Sequence, residues 1–133
     1  MIHKHIRLSK SVIGDLEKEA VLDALEDGYL GMGKFVEHFE KSLSELMSRP
    51  VVCVANGTSA LQLALQACGI NKGDEVIVQS LTYVASFQAI TATGAKPIAC
   101  DIDPKSLTID VNNAKSKITN KTKAIMPVHF SGS

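Results

Sequence analysis

Four short apolar runs, at 51–55, 75–78, 97–100 and 124–128, alternate with segments whose apolar residues fall at helical spacing. The runs are short and rich in β-branched residues, as buried strands are. The intervening segments, about 59–68, 83–93 and 111–118, are helical in pattern, and Gly69 and Gly94 close the first two. Strands separated by helices cannot pair as hairpins, so the pattern predicts an α/β domain with a parallel sheet and right-handed crossovers.

Two amphipathic helices are predicted ahead of the first run. Leu16, Ala20, Val21 and Ala24 share one face of a helix over 13–27, with Gly28 at its C′ position. Val36, Phe39, Leu43 and Leu46 share one side of a second, over 34–48, which Arg49-Pro50 breaks. The turn between them, Gly28-Tyr29-Leu30-Gly31-Met32-Gly33, holds a Gly-x-Gly. It lacks both the third glycine and the preceding strand of a dinucleotide fingerprint. The chain therefore divides into an N-terminal helical segment, 1–50, and an α/β segment, 51–133.

In parallel sheets ligands bind beyond the carboxyl ends of the strands. That rule selects Asn56-Gly57-Thr58-Ser59 after the first run and Gln79-Ser80-Leu81-Thr82-Tyr83 after the second. It also selects Asp101 and Asp103 after the third, and His129 after the fourth. A Gly-Thr-Ser turn opening a helix offers backbone N–H groups to an anion, and phosphate is the usual occupant. No Gly-Lys-Ser/Thr follows at P-loop spacing. On local sequence alone, Thr58 or Ser59 acting as a helix cap is the commoner use. Tyr83 either lays its ring on a flat ligand or packs as a half-buried aromatic. Asp101 and Asp103 read best as a local turn, and His129 as a hydrogen-bonded supporting residue.

Charge and cysteine content narrow the function classes. With 14 basic and 14 acidic residues, the chain has no basic excess for nucleic acid or an anionic membrane. No run reaches the roughly 18 apolar residues of a membrane span. The polar start Met1–Arg7 lacks the apolar core of a signal peptide, so a cytoplasmic location is expected. Cys53, Cys68 and Cys100 have no zinc-site spacing and read as reduced core residues; no metal is expected. None of the twelve lysines holds a clearly desolvated position facing a cofactor.

Six motifs stand in one family's order: Gly57-Thr58-Ser59-Ala60-Leu61, Gly73-Asp74-Glu75-Val76-Ile77-Val78, Leu81-Thr82-Tyr83-Val84-Ala85, Gly94-Ala95-Lys96-Pro97, Asp101-Ile102-Asp103 and Thr122–His129. Together with the 28–33 turn they resemble the pyridoxal 5'-phosphate (PLP)-dependent nucleotide-sugar aminotransferases of the DegT/DnrJ/StrS type. The resemblance implies a three-layer parallel-sheet domain like the large domain of fold type I PLP-dependent transferases, here truncated, with 51–133 as its first part. It implies that Gly57, Thr58 and Ser59 hold the PLP phosphate and that Tyr83 stacks on the pyridine ring. Tyr29 and Gly31 would line the substrate entrance near a dimer boundary. The implied reaction moves an amino group, usually from glutamate, to a keto carbon of a nucleotide-linked deoxysugar, for amino-sugar or cell-surface polysaccharide synthesis.

Gln79 stands where the family often has proline, and Gln62 where histidine is common. Family members are longer, and the resemblance puts both the Schiff-base lysine and the aspartate that pairs with the pyridinium nitrogen beyond Ser133. No catalytic residue is therefore assigned in this chain. The expected alternative is a non-catalytic remnant or assembly module that keeps the fold without the lysine. Either form is expected to expose a strand edge and apolar surface, and to self-associate.

Overall fold

The computed structural model describes residues 9–132. The polar start Met1–Arg7 lies outside them, as does Ser133. The chain falls into two compact units, 1–53 and 54–133.

The first unit carries helices α1 (Asp15–Asp27) and α2 (Lys34–Met47). Glu17 Oε2 accepts the Gly14 N–H at 2.7 Å at the start of α1, satisfying a donor that has no helical partner. Gly28 ends the helix at φ 72°, a left-handed geometry that favours glycine. In the turn that follows, a Cβ on Gly33 would stand 2.5 Å from the Tyr29 ring, so any larger residue there would have to displace that ring. The predicted apolar faces are less covered than their pattern implies. In α1 only Ala24 is even half-buried; in α2, Val36 and Leu43 are half-buried while Phe39 and Leu46 are exposed.

The run 51–55 is not a strand. Its alternate N–H groups go to side chains of α2: Val51 N–H donates to Ser44 Oγ at 2.9 Å, and Cys53 N–H to Glu40 Oε1 at 2.6 Å. An apolar β-branched run marks an extended segment, but strand pairing depends on a neighbour that local sequence does not reveal. No described strand pairs with this one.

The second unit is the α/β part. Strands β1 (Glu75–Gln79), β2 (Lys96–Cys100) and β3 (Thr122–Met126) form a parallel sheet in the order β2-β1-β3. Val76, Ile77 and Val78 are fully buried, as expected for a continuous apolar run in a central parallel strand. Period-two alternation sends Val76 and Val78 to one face and Ile77 to the other. The first face packs with Leu65 of α3 (Gly57–Ala67) and with Ala89 and Ile90 of α4 (Ala85–Ala92). On the second, Ile77 clusters with Cys100 and with Ala114 of the short α5 (Val111–Ser116). Helices on both faces give three layers. Strand β2 forms one edge of the sheet and β3 the other.

Of the three cysteines, only Cys100 is buried; Cys53 is half-buried and Cys68 is exposed. The core assignment fails for Cys68 because it is the C-cap residue of α3, past the last turn that packs on the sheet.

Candidate functional site

The carboxyl ends of β1 and β3 and the start of α3 open on one cleft of about 580 Å³, within the range of small-ligand sites. Gly57, Thr58, Thr82, Tyr83, Ser86 and Val128 line it, with Ala60, Leu61 and Ala85.

The α3 wall is built from its cap outward. Asn56, in extended conformation, accepts the Ser59 N–H on its side-chain oxygen at 2.9 Å, and its carbonyl accepts the Ala60 N–H at 3.1 Å. Asn56 is therefore the cap, and neither Thr58 nor Ser59 serves that role. The first two N–H groups of the helix, on Gly57 and Thr58, have no intrahelical acceptor by geometry and no other partner among the described residues. Nothing lies within 4 Å of where a Gly57 Cβ would be, so the helix start is uncrowded on that side. Two free N–H groups at the positive end of a helix dipole, beside a threonine hydroxyl, form an anion cradle.

Opposite stands the β1–α4 loop. Helix α4 begins at Ala85, so Tyr83 sits in the preceding turn, the residue 79% exposed. The packing alternative for Tyr83 does not describe it, since its ring is available to a planar ligand. Below it, Thr82 Oγ1 and the buried Ser86 Oγ lie 2.8 Å apart. The strand-end rule selects Thr82 for this edge but not Ser86. Ser86 lies in the first turn of α4, and a second hydroxyl residue so soon after Thr82 is the signal that could have found it.

The other candidates lie elsewhere. Ser59 is half-buried behind the cap and does not line the cleft. Asp101 Oδ2 accepts from Asn113 Nδ2 at 3.0 Å, and its own N–H donates to Asn113 Oδ1 at 3.0 Å. Asp103 Oδ1 accepts the Lys105 and Ser106 N–H groups at 2.9 and 2.8 Å, which holds its carboxyl below its ordinary pKa. Asp103 thus closes a local turn, as expected, whereas Asp101 does not: it ties the end of β2 to Asn113 of α5, twelve residues on. His129 is exposed, and its carbonyl accepts the Gly132 N–H at 3.1 Å. Tyr29 and Gly31 belong to the first unit, the ring of Tyr29 lying over its own glycine turn. Among the described residues no lysine lines the cleft. No group of three His, Cys, Asp or Glu side chains among them is placed to hold a metal, and no described helix is long and apolar enough to cross a membrane.

Residues 11–133 match the family model described as the DegT/DnrJ/EryC1/StrS aminotransferase family. GDP-perosamine synthase of Escherichia coli O157:H7 is 44% identical over 131 residues, which cover 97% of this chain and 36% of that protein. The spore coat polysaccharide biosynthesis protein SpsC of Bacillus subtilis is 42% identical over 125 residues, covering 93% of this chain and 32% of its own length. The crystal structure of NtdA from Bacillus subtilis, with bound cofactor PMP, superposes with a TM-score of 0.80 at 37% identity. It covers 86% of this chain and 27% of NtdA. The chain thus spans about a third of the length of the curated relatives it matches.

Proposed function

The chain belongs to the DegT/DnrJ/EryC1/StrS aminotransferase family, and on that premise we propose that it forms the cofactor-anchoring part of a PLP-dependent nucleotide-sugar aminotransferase. The observation that carries this reading is the cap at α3. Asn56 closes the first turn, so the Gly57 and Thr58 N–H groups and the Thr58 hydroxyl remain for a phosphate.

The residues fit the cofactor. Gly57 and Thr58 hold the phosphate in this reading, with Ser59 behind them as a further hydroxyl. Tyr83 lays its ring on the pyridine from the other wall of the same cleft. When bound, the cofactor supplies an electron sink, which lets an amino group pass between a donor and a keto carbon. The chain's own residues bind the phosphate, orient the ring and cover its face. Tyr29 and Gly31 are assigned to the substrate entrance, and residues 51–133 to the first part of the cofactor domain, preceded by the helical segment 1–50. The substrate is a nucleotide-linked keto-deoxysugar and the donor glutamate, in amino-sugar or polysaccharide synthesis; the working form is a homodimer or larger oligomer.

One observation favours a second reading. No lysine lines the cleft among the described residues, so the amine that tethers the cofactor has to come from outside them. If nothing supplies it, the chain is a non-catalytic module that keeps the phosphate cup. The test is turnover by the full chain with PLP, glutamate and a panel of nucleotide-linked keto-deoxysugars. Release of 2-oxoglutarate dependent on one sugar is expected of the enzyme. Binding of PMP without turnover identifies the module, and absence of both contradicts the proposal.

A further inference from the structure

Gln79, the last residue of β1, is the one large polar side chain among the fully buried residues of the described core. Its amide is completely used. Oε1 accepts the Val128 N–H at 2.9 Å; Nε2 donates to the Leu81 carbonyl at 2.9 Å and, more weakly, to the Leu107 carbonyl at 3.4 Å. The orientation of the amide follows from its partners, since a backbone N–H requires the oxygen and two carbonyls require the nitrogen.

These partners belong to different parts of the site. Val128 follows β3 and lines the cleft from the sheet side. Leu81 leads into Thr82 and Tyr83, which line it from the β1–α4 loop. Leu107 sits in the β2–α5 connection at φ 59°, a backbone geometry that leucine rarely takes. The Val128 N–H and the Leu81 carbonyl are beyond the strand ends, where no ladder can satisfy them. An apolar side chain of similar size at 79 would leave both without these partners, at a cost that buried polar groups make large. Neither α3 nor its cap takes part in this network.

We propose that Gln79 is a positioning residue that fixes the Tyr83 loop against the Val128 wall, so that it sets the ring side of the cofactor cleft independently of the phosphate cup. The proposal rests on the cofactor reading above. It assigns Gln79 no contact with the cofactor; it acts through Tyr83 and Val128.

The test compares PMP with inorganic phosphate as ligands of the full chain and its Gln79→Leu variant. PMP needs both the ring side and the cup, and inorganic phosphate only the cup. The variant is expected to lose about tenfold in PMP affinity while phosphate affinity stays within about twofold. Faster hydrogen exchange at residues 81–84 and at the Val128 amide should accompany the loss. If Gln79→Leu does not fold, Gln79→Glu retains the acceptor for Val128 and, while ionised, lacks the donor for Leu81. It should then show the same split in part, with PMP affinity recovering as pH falls and the carboxyl regains a proton to donate. Equal losses for PMP and phosphate, or unchanged exchange at 81–84, overturn the proposal. Wild-type protein that binds neither ligand instead contradicts the cofactor reading, and the exchange result still decides whether Gln79 ties the two walls.

Discussion

Asn56 Oδ1 accepts the Ser59 N–H at 2.9 Å, and that bond determines which groups at the start of α3 remain available to a ligand. Asn56→Ala should lower stability by about 1 kcal/mol, the usual cost of losing such a cap, and weaken PMP binding because the first turn loosens. Asn56→Asp keeps the acceptor but puts a negative charge beside the cradle. It should preserve the melting temperature and still weaken PMP, a dissociation that thermal melts and calorimetric titration can separate.

Tyr83 offers the converse case. The residue is 79% exposed, so removing its ring removes little packing. Tyr83→Ala should leave the melting temperature within a degree or two and weaken PMP by roughly fivefold, about 1 kcal/mol of ring contact. Tyr83→Phe should bind PMP like wild type, because the reading uses the ring face and not the hydroxyl. Fluorescence titration of the three proteins is the check.

Much of this architecture was legible in the sequence. The run 75–78 reads as a buried strand because it lies at the centre of the sheet, where both faces want apolar residues. Gly28, Gly69 and Gly94 mark helix ends because the chain there turns through positive φ. The segment 51–55 was misread because strandedness belongs to a pair, and α2 side chains take its donors instead. The cap was misplaced by a few residues because Asn, Thr and Ser all suit that role, and only the backbone conformation of Asn56 selects it. The role of Gln79 spans 49 residues to Val128, a separation over which no local pattern carries information.

The cysteines should report the fold directly. Burial pushes the Cys100 thiol above its ordinary pKa, with Asp101 and Asp110 adding to the effect and Lys117 opposing it. Cys68 is exposed. A thiol reagent at neutral pH should therefore label Cys68 in the native protein and reach Cys100 only on unfolding, as peptide mass mapping would show.

Acid should loosen one loop early. The Ser106 and Lys105 N–H groups hold the Asp103 carboxyl below its ordinary pKa, so folding favours the ionised form. That contribution is fully present above the unfolded-state value. It declines as pH falls below that value and is gone once pH passes through the lowered folded one. Hydrogen exchange at Ser106 should follow this course, and Asp103→Asn should abolish the pH dependence there.

The most direct test of the account is calorimetric titration of the full chain with PMP. PMP carries an amine in place of the aldehyde, so its binding does not depend on any tethering lysine. The phosphate cup predicts saturable binding that falls about tenfold or more in a Thr58→Ala, Ser59→Ala double variant. It predicts a comparable fall when pyridoxamine, which lacks the phosphate, replaces PMP. Equal binding of PMP and pyridoxamine, or an unaffected double variant, would contradict the assignment of the α3 N-terminus as the phosphate site.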